Sequence, residues 1–253
     1  MGISGGPDMI QDGLVLSLDA ADKNSYPGSG TTWIDLSGNN NSGTLTNGPI
    51  FSSANQGSIV FDGTNDYVQN PNRSIITEFQ YSSSFTVESF VKIMESSGIG
   101  MIINNRASTD GSGVSYTGWS IFQNESTIQA SVGGFPASVF DWRIVNISTT
   151  QFSNNIFSKW AHIVWTNSPV EGESKIYVNG INVTSQSFDN NTPPYVINYN
   201  GNHRVTLGMS PADGNPGGHY ISGSISVARL YNKTLSAQEV LQNYNSQKSR
   251  FNL

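Results

Sequence analysis

The run Phe61-Asp62-Gly63-Thr64-Asn65-Asp66-Tyr67-Val68 most constrains what this chain can become. An apolar stretch ends, a turn follows, and a second apolar stretch begins. Ile59, Val60 and Phe61 before the turn, and Tyr67 and Val68 after it, favour extended backbone. Asp62-Gly63 and Asn65-Asp66 take left-handed or Asx-turn geometry readily. The reading is a β-hairpin, and the same grammar recurs along the sequence. In the segment 85–93, Phe85, Val87, Val91 and Ile93 fall on one face and Thr86, Glu88 and Lys92 on the other, the period-two pattern of a half-buried strand. The segment 160–165 is apolar on both faces apart from His162, as expected of a strand between two layers. Asn179-Gly180 permits positive φ at both central positions, so the segment 175–183 reads as a hairpin with a type I′ turn. Residues 205–207 and 225–227 add two late strands.

One helix is legible near the C-terminus. Ser236 is a good N-cap and Glu239 completes a capping box. Leu235 and Val240 are placed as a hydrophobic staple, and Val240, Leu241 and Tyr244 form an apolar stripe. Residues 1–11 read as a flexible Gly-rich arm, because Gly5-Gly6-Pro7 cannot continue regular structure. Residues 12–253 read as one domain. The segment 96–157 is the least regular, with glycines and aromatics interleaved, and long irregular stretches in compact domains are often functional.

Composition narrows the function classes. The chain has 253 residues, a length that suits one large β domain. Charged residues make up only 12% and the formal net charge is −6. Nucleic-acid binding leans on clustered Lys and Arg, so no nucleic-acid partner is expected. No apolar run approaches the length of a membrane-spanning helix, so no membrane partner is expected. The first residues lack a basic segment followed by an apolar one, so no export signal is expected. There is no cysteine, which excludes disulfides, thiolate metal sites and cysteine nucleophiles.

Catalytic constellations are sparse. None of Glu78, Glu88, Glu95, Glu125, Glu171, Glu173 and Glu239 has an Asp two residues on, and the nearest alternating pair of carboxylates, Glu171 and Glu173, reads as a solvated loop after Pro169. No Gly-x-Ser-x-Gly elbow occurs in strand-to-helix context. His162, on an apolar strand, reads as a structural histidine with a satisfied ring. The expectation is a non-enzymatic protein.

Several further segments stand in a fixed order around the opening run. They are Gly13-Leu14-Val15-Leu16-Ser17-Leu18-Asp19-Ala20, Ser25-Tyr26-Pro27-Gly28-Ser29-Gly30-Thr31-Thr32-Trp33 and Asp35-Leu36-Ser37-Gly38-Asn39. Gly43-Thr44-Leu45 precedes the turn; Phe85-Thr86-Val87-Glu88, Tyr177-Val178-Asn179-Gly180 and Gly223-Ser224-Ile225 follow it. Leu230-Tyr231-Asn232-Lys233-Thr234-Leu235-Ser236 closes the series. In this order the set resembles a laminin-G-like jelly roll of the concanavalin A-like lectin/glucanase superfamily. The resemblance implies an all-β fold: a two-sheet antiparallel jelly-roll sandwich with one short C-terminal helix.

It also implies candidate sites. Many laminin-G-like and lectin relatives bind calcium at the sandwich rim through loop oxygens, and here Asp35, Asn39, Asp62 and Asp66 are the candidates for a structural calcium ion. The competing reading is that these residues are Asx turns satisfying their own backbone. Carbohydrate binding is the usual inference from this fold, and Trp119, Phe135 and Trp142 are the candidate stacking residues. The competing reading is that they are buried core.

The series most resembles stand-alone laminin-G-like proteins of tailed bacteriophages. That resemblance implies a virion structural protein, made in the host bacterial cytoplasm, as a head decoration, head fibre or tail-associated module. It implies other virion proteins as partners, a host surface glycan as a candidate contact, and a homo-oligomer or multiple copies on a particle. The alternatives are a bacterial carbohydrate-binding module or adhesin, and a polysaccharide-active enzyme.

Overall fold

The structure is a computed structural model of the whole chain. It describes residues 8–72, 79–80, 82–94, 98–108, 116–125, 127–134, 141–147, 156–170, 173–187, 203–210 and 219–253. In chain order the strands are β1 (Leu14–Asp19), β2 (Thr32–Trp33), β3 (Gly43–Thr46), β4 (Ile50–Ser52), β5 (Ser58–Asp62), β6 (Tyr67–Gln69), β7 (Phe85–Ile93), β8 (Ile99–Asn104) and β9 (Ala107–Ser108). They continue as β10 (Tyr116–Asn124), β11 (Thr127–Gly134), β12 (Asp141–Ile147), β13 (Trp160–Asn167), β14 (Lys175–Val178), β15 (Ile181–Asn182), β16 (Thr184–Ser187), β17 (Thr206–Leu207) and β18 (Ser222–Tyr231). Among the described residues one α-helix, α1, spans Ala237–Gln247.

Two antiparallel sheets stack as a jelly-roll sandwich. The eight-stranded sheet runs β15-β14-β13-β7-β18-β5-β4, with β1 also on β18. The ten-stranded sheet runs β16-β12-β11-β10-β8-β17-β6-β3-β2, with β9 on β10. The organising strand is β18. One edge pairs with β7 along its length; the other pairs first with β5 and then with β1, changing partner at a register shift after Ile225. Arg250 reinforces this point, donating to Ser226 Oγ at 2.8 Å and pairing with Asp19 at 2.9 Å.

Between the sheets lies one apolar core. Phe85, Val87, Val91, Ile93, Ile163, Trp165 and Leu230 come from one sheet; Val68, Ile103, Trp119, Ile121, Ala130 and Val132 come from the other. Phe85 contacts Trp165 edge-on at 5.0 Å between centroids, and Phe79 tilts against Trp119 at 5.7 Å. Fully burying one such side chain contributes about 1.5–3 kcal/mol.

Three local expectations change in three dimensions and a fourth holds. The Phe61–Val68 unit is not a hairpin: β5 belongs to the eight-stranded sheet and β6 to the ten-stranded one. The turn is a corner between layers, because each flanking strand finds its hydrogen bonds with a different neighbour. The Asn179-Gly180 turn forms as read, with φ of 51° and 79°, and Val178 pairs with Ile181. However, the chain then leaves for the other sheet, where β16 pairs with β12. The described residues of the segment 96–157 supply β8, β10, β11 and β12, the middle of the ten-stranded sheet. Gly118 in β10 serves close packing: a Cβ there would stand 2.7 Å from Asn105 Oδ1. Finally, β7 is buried on both faces rather than one, with Lys92 its only half-exposed residue.

Helix α1 covers that second face. Ser236 Oγ accepts from Glu239 N at 3.3 Å, and Ser236 N donates to Glu239 Oε2 at 2.8 Å, completing the capping box. The buried residues of the helix are Val240 and Asn243, whereas Leu241 is 44% exposed. The stripe read from sequence is therefore rotated by one polar residue, and that residue has a specific role.

Candidate functional site

Asn243 sits over the outer face of the eight-stranded sheet, where ionisable groups from three adjacent strands converge. Alternation along β7 puts Glu88 on this face. Register places it opposite Val164 of β13 and Arg229 of β18. Glu88 Oε1 accepts from Arg229 Nη1 at 2.9 Å and lies 3.1 Å from His162 Nε2. Glu88 Oε2 accepts from Asn243 Nδ2 at 2.7 Å, and the same amide nitrogen lies 3.0 Å from the Tyr231 hydroxyl. Glu88 and His162 have no exposed surface and Arg229 has 1%.

Burial alone would push the Glu88 carboxyl up. The positive charge of Arg229 and the hydrogen bonds from His162 and Asn243 outweigh it and hold the group down at about 2. Burial would lower Arg229, but the Glu88 charge more than offsets this and raises it. Tyr231 is raised, first by burial and then by the nearby carboxylate. A charge pair taken this far from water is stable only when both partners are present and bonded.

Aromatic rings wall the cluster. The His162 imidazole stacks on Phe90 at 4.3 Å and on Tyr244 at 5.8 Å, while Phe90 stacks on Phe251 at 4.9 Å. Val164 of β13, Tyr177 of β14 and Tyr231 of β18 pack with Leu235 and Val240 beside it. The sequence reading of His162 as structural agrees with this setting, although its Nδ1 has no hydrogen-bond partner. The arrangement fastens a helix to a sheet. It offers no open carboxylate for general acid–base work, which needs a group within reach of a substrate.

The rim turns are also built from carboxylates. Asp35 Oδ1 accepts from Ser17 N and Ser37 N at 2.8 and 2.9 Å; its Oδ2 accepts from Ser37 Oγ and Asn41 N at 2.7 and 2.9 Å. Asn39 donates through Nδ2 to the Leu14 carbonyl and to Ser37 Oγ. At the corner, Asp62 Oδ1 accepts from Thr64 N at 2.8 Å and from Asn65 N at 3.3 Å, and Asp66 Oδ2 accepts from Asp62 N at 3.1 Å. The Thr64 amide leads in lowering Asp62. Burial leads in raising Asp66, helped by the Asp62 charge.

The four residues considered for calcium thus do different work. Both oxygens of Asp35 are taken by donors, and among the described residues no three His, Cys, Asp or Glu side chains gather into a metal-holding group. Asp62 and Asp66 do share one turn.

The aromatic candidates separate as well. Trp119 lies on the inner face of β10 with no exposed surface, against Phe79 and Phe85, so it has no ring face to offer a sugar. Its assignment as a stacking residue is corrected to core. Trp142 occupies β12 opposite Gly133, but its side chain lies outside the described residues. Phe135 also lies outside them.

Sequence reasoning missed Glu88, Arg229 and Asn243 as a unit. The available signal was three ionisable residues, Glu88, His162 and Arg229, each set in the middle of an apolar strand.

The sandwich is similar to several solved toxin binding domains. The receptor-binding domain of botulinum neurotoxin C/D mosaic serotype matches with a TM-score of 0.67 at 16% identity, over 94% of this chain and 52% of that one. The botulinum neurotoxin serotype D binding domain matches at 0.66 and 18%, over 94% and 53%. The binding domain of Paraclostridial Mosquitocidal Protein 1 matches at 0.65 and 17%, over 93% and 52%. The chain therefore spans about half the length of these relatives, and at such identities the likeness is one of fold. A serotype D domain of this group was solved with N-acetylneuraminic acid, and a DC domain with rat synaptotagmin II. No curated protein matches the sequence. Residues 62–241 match a laminin G-type family profile, and with most of the chain covered the protein belongs to the concanavalin A-like lectin/glucanases superfamily.

Proposed function

We propose that this chain is a non-catalytic surface scaffold of a tailed-bacteriophage virion: a head decoration, head fibre or tail-associated module. The observation that carries the non-catalytic part is how the buried ionisable groups are used. Arg229 and His162 are both bonded to Glu88, and the three are buried beneath α1. The phage setting rests on the ordered motif series from Gly13 to Ser236. In this reading the protein sits in several copies among other virion proteins.

The test is mass spectrometry of purified particles together with the solution mass of the isolated protein. The chain is expected among the virion proteins and as a multimer. A strictly monomeric protein that never co-purifies with particles would overturn the reading.

A carbohydrate-binding module or adhesin is the second reading. It is favoured by the fold's likeness to binding domains, one of them solved with N-acetylneuraminic acid. Fold alone does not license a sugar claim. With Trp119 in the core, Trp142 and Phe135 are the residues this reading rests on. Binding on a glycan array, lost in Trp142→Ala, supports it; no hits at high protein concentration count against it. A structural calcium ion at the Asp62–Asp66 corner is compatible with either reading.

A further inference from the structure

The Asn243 side chain faces two ways. Its Nδ2 donates to Glu88 Oε2 and lies beside the Tyr231 hydroxyl, on the sheet side. Its Oδ1 accepts from Ile10 N at 2.8 Å, on the side of the N-terminal segment. An amide group is planar and rigid, so the direction of one end fixes the other. Two further contacts tie the same segment to the same strap. Gln242 Nε2 donates to the Asp8 carbonyl at 2.6 Å, and Lys233 Nζ bridges Asp12 and Glu239 at 2.7 and 2.8 Å. Ile10 and Leu14 pack against the cluster formed by Val164, Tyr177, Tyr231, Leu235 and Val240.

We propose that residues 8–12 and helix α1 form one coupled strap over the outer face of the eight-stranded sheet, with Asn243 as the joint. The sequence of causes is short. Removing Ile10 N leaves Asn243 Oδ1 without its partner in a buried site. The amide is then free to turn, and its bond to Glu88 weakens. The buried residues of the helix are Val240 and Asn243, and Tyr244 packs beside them on His162 and the Phe90 cluster. Anything that draws the N-terminal segment away therefore loosens α1 and bares Phe90, Val227 and Val164. By linkage, loosening α1 releases the segment by the same factor.

Hydrogen exchange on the otherwise intact protein tests this. A chain starting at Gln11 keeps β1 and the Asp12–Lys233 pair but loses Asp8 and Ile10. Amides of residues 240–247 are expected to exchange about tenfold faster in it, the scale of one lost hydrogen bond to a buried group, while β7 and β13 stay protected. Asn243→Ala should speed exchange at residues 10–12 by a similar factor. Combining the two changes should add nothing to α1 beyond the larger single effect. Helix protection within about twofold of the parent in the shortened chain overturns the proposal, as does independent multiplication of the two effects. If Asn243→Ala does not fold, the shortened chain alone decides.

Discussion

The two faces of the eight-stranded sheet are sealed by opposite means. The inner face is closed by shape: Phe85, Val87, Trp165 and Leu230 interdigitate with the other sheet and need no particular hydrogen bond. The outer face is closed by direction: Glu88 binds Arg229, His162 and Asn243, each through a defined atom. An apolar face tolerates exchange of one hydrophobe for another of similar volume. A buried ionic face does not tolerate loss of one partner, yet tolerates loss of the whole group. The difference shows what the cluster contributes. It gives α1 one position rather than much binding energy.

The sharpest way to break this comparison is at Glu88. Glu88→Gln leaves Arg229 buried and uncompensated, and denaturant unfolding is expected to show a loss of about 3–5 kcal/mol. Replacing Glu88 and Arg229 together by Leu and Met should recover most of it. If the double replacement is as damaging as the single one, the ionic face is a source of net stability and the contrast fails. On the inner face, Trp165→Ala should cost a similar amount, about 3–5 kcal/mol, with no rescue by a charge change elsewhere.

Acid separates the faces next. Glu88 is held near 2 in the folded protein, below its ordinary value of 4.5. The unfolded chain therefore takes up this proton more readily than the folded one. The stability Glu88 contributes is present above the ordinary value and drains as pH falls from about 4.5 toward 2, by on the order of 3 kcal/mol. That slope should be missing from pH-dependent unfolding of Glu88→Gln, while Trp165→Ala retains it.

Smaller effects belong to the edges. Ser236→Ala removes the N-cap of α1 and should cost about 1 kcal/mol in thermal unfolding, since the helix is held by the sheet as well. The smallest concerns calcium at the Asp62–Asp66 corner. If an ion binds there, added calcium raises the melting temperature and Asp62→Asn removes the increase. No change on adding calcium or EDTA removes the ion from the account.

Much of this was legible because it is local. The capping box needs only Ser236 and Glu239, and the type I′ turn needs only Asn179 and Gly180. The Phe61–Val68 turn was half legible. Its residues specify a reversal, but whether the two strands pair with each other is decided by β4 and β18 on one side and β3 and β17 on the other. The outer cluster was not legible from alternation, which places Glu88 on the polar face and stops there. Its partners come from residues 162, 229 and 243, and only the register of three strands brings them together. Trp119 shows the same limit from the other direction. An aromatic among glycines reads equally as a stacking platform or as core, and only the pairing of β10 with β8 and β11 turns it inward.

The partner change along β18 also has a consequence for synthesis. Leu14 pairs with Tyr231 and Asp19 with Val227, so the first strand closes on the last. A nascent chain halted before residue 222 lacks the strand that β1, β5 and β7 all require. Until β18 is made, β5 can pair only with β4 and β7 only with β13, and β1 has no partner among the described strands. Long-range pairing of this kind makes folding slow and leaves strand edges open meanwhile.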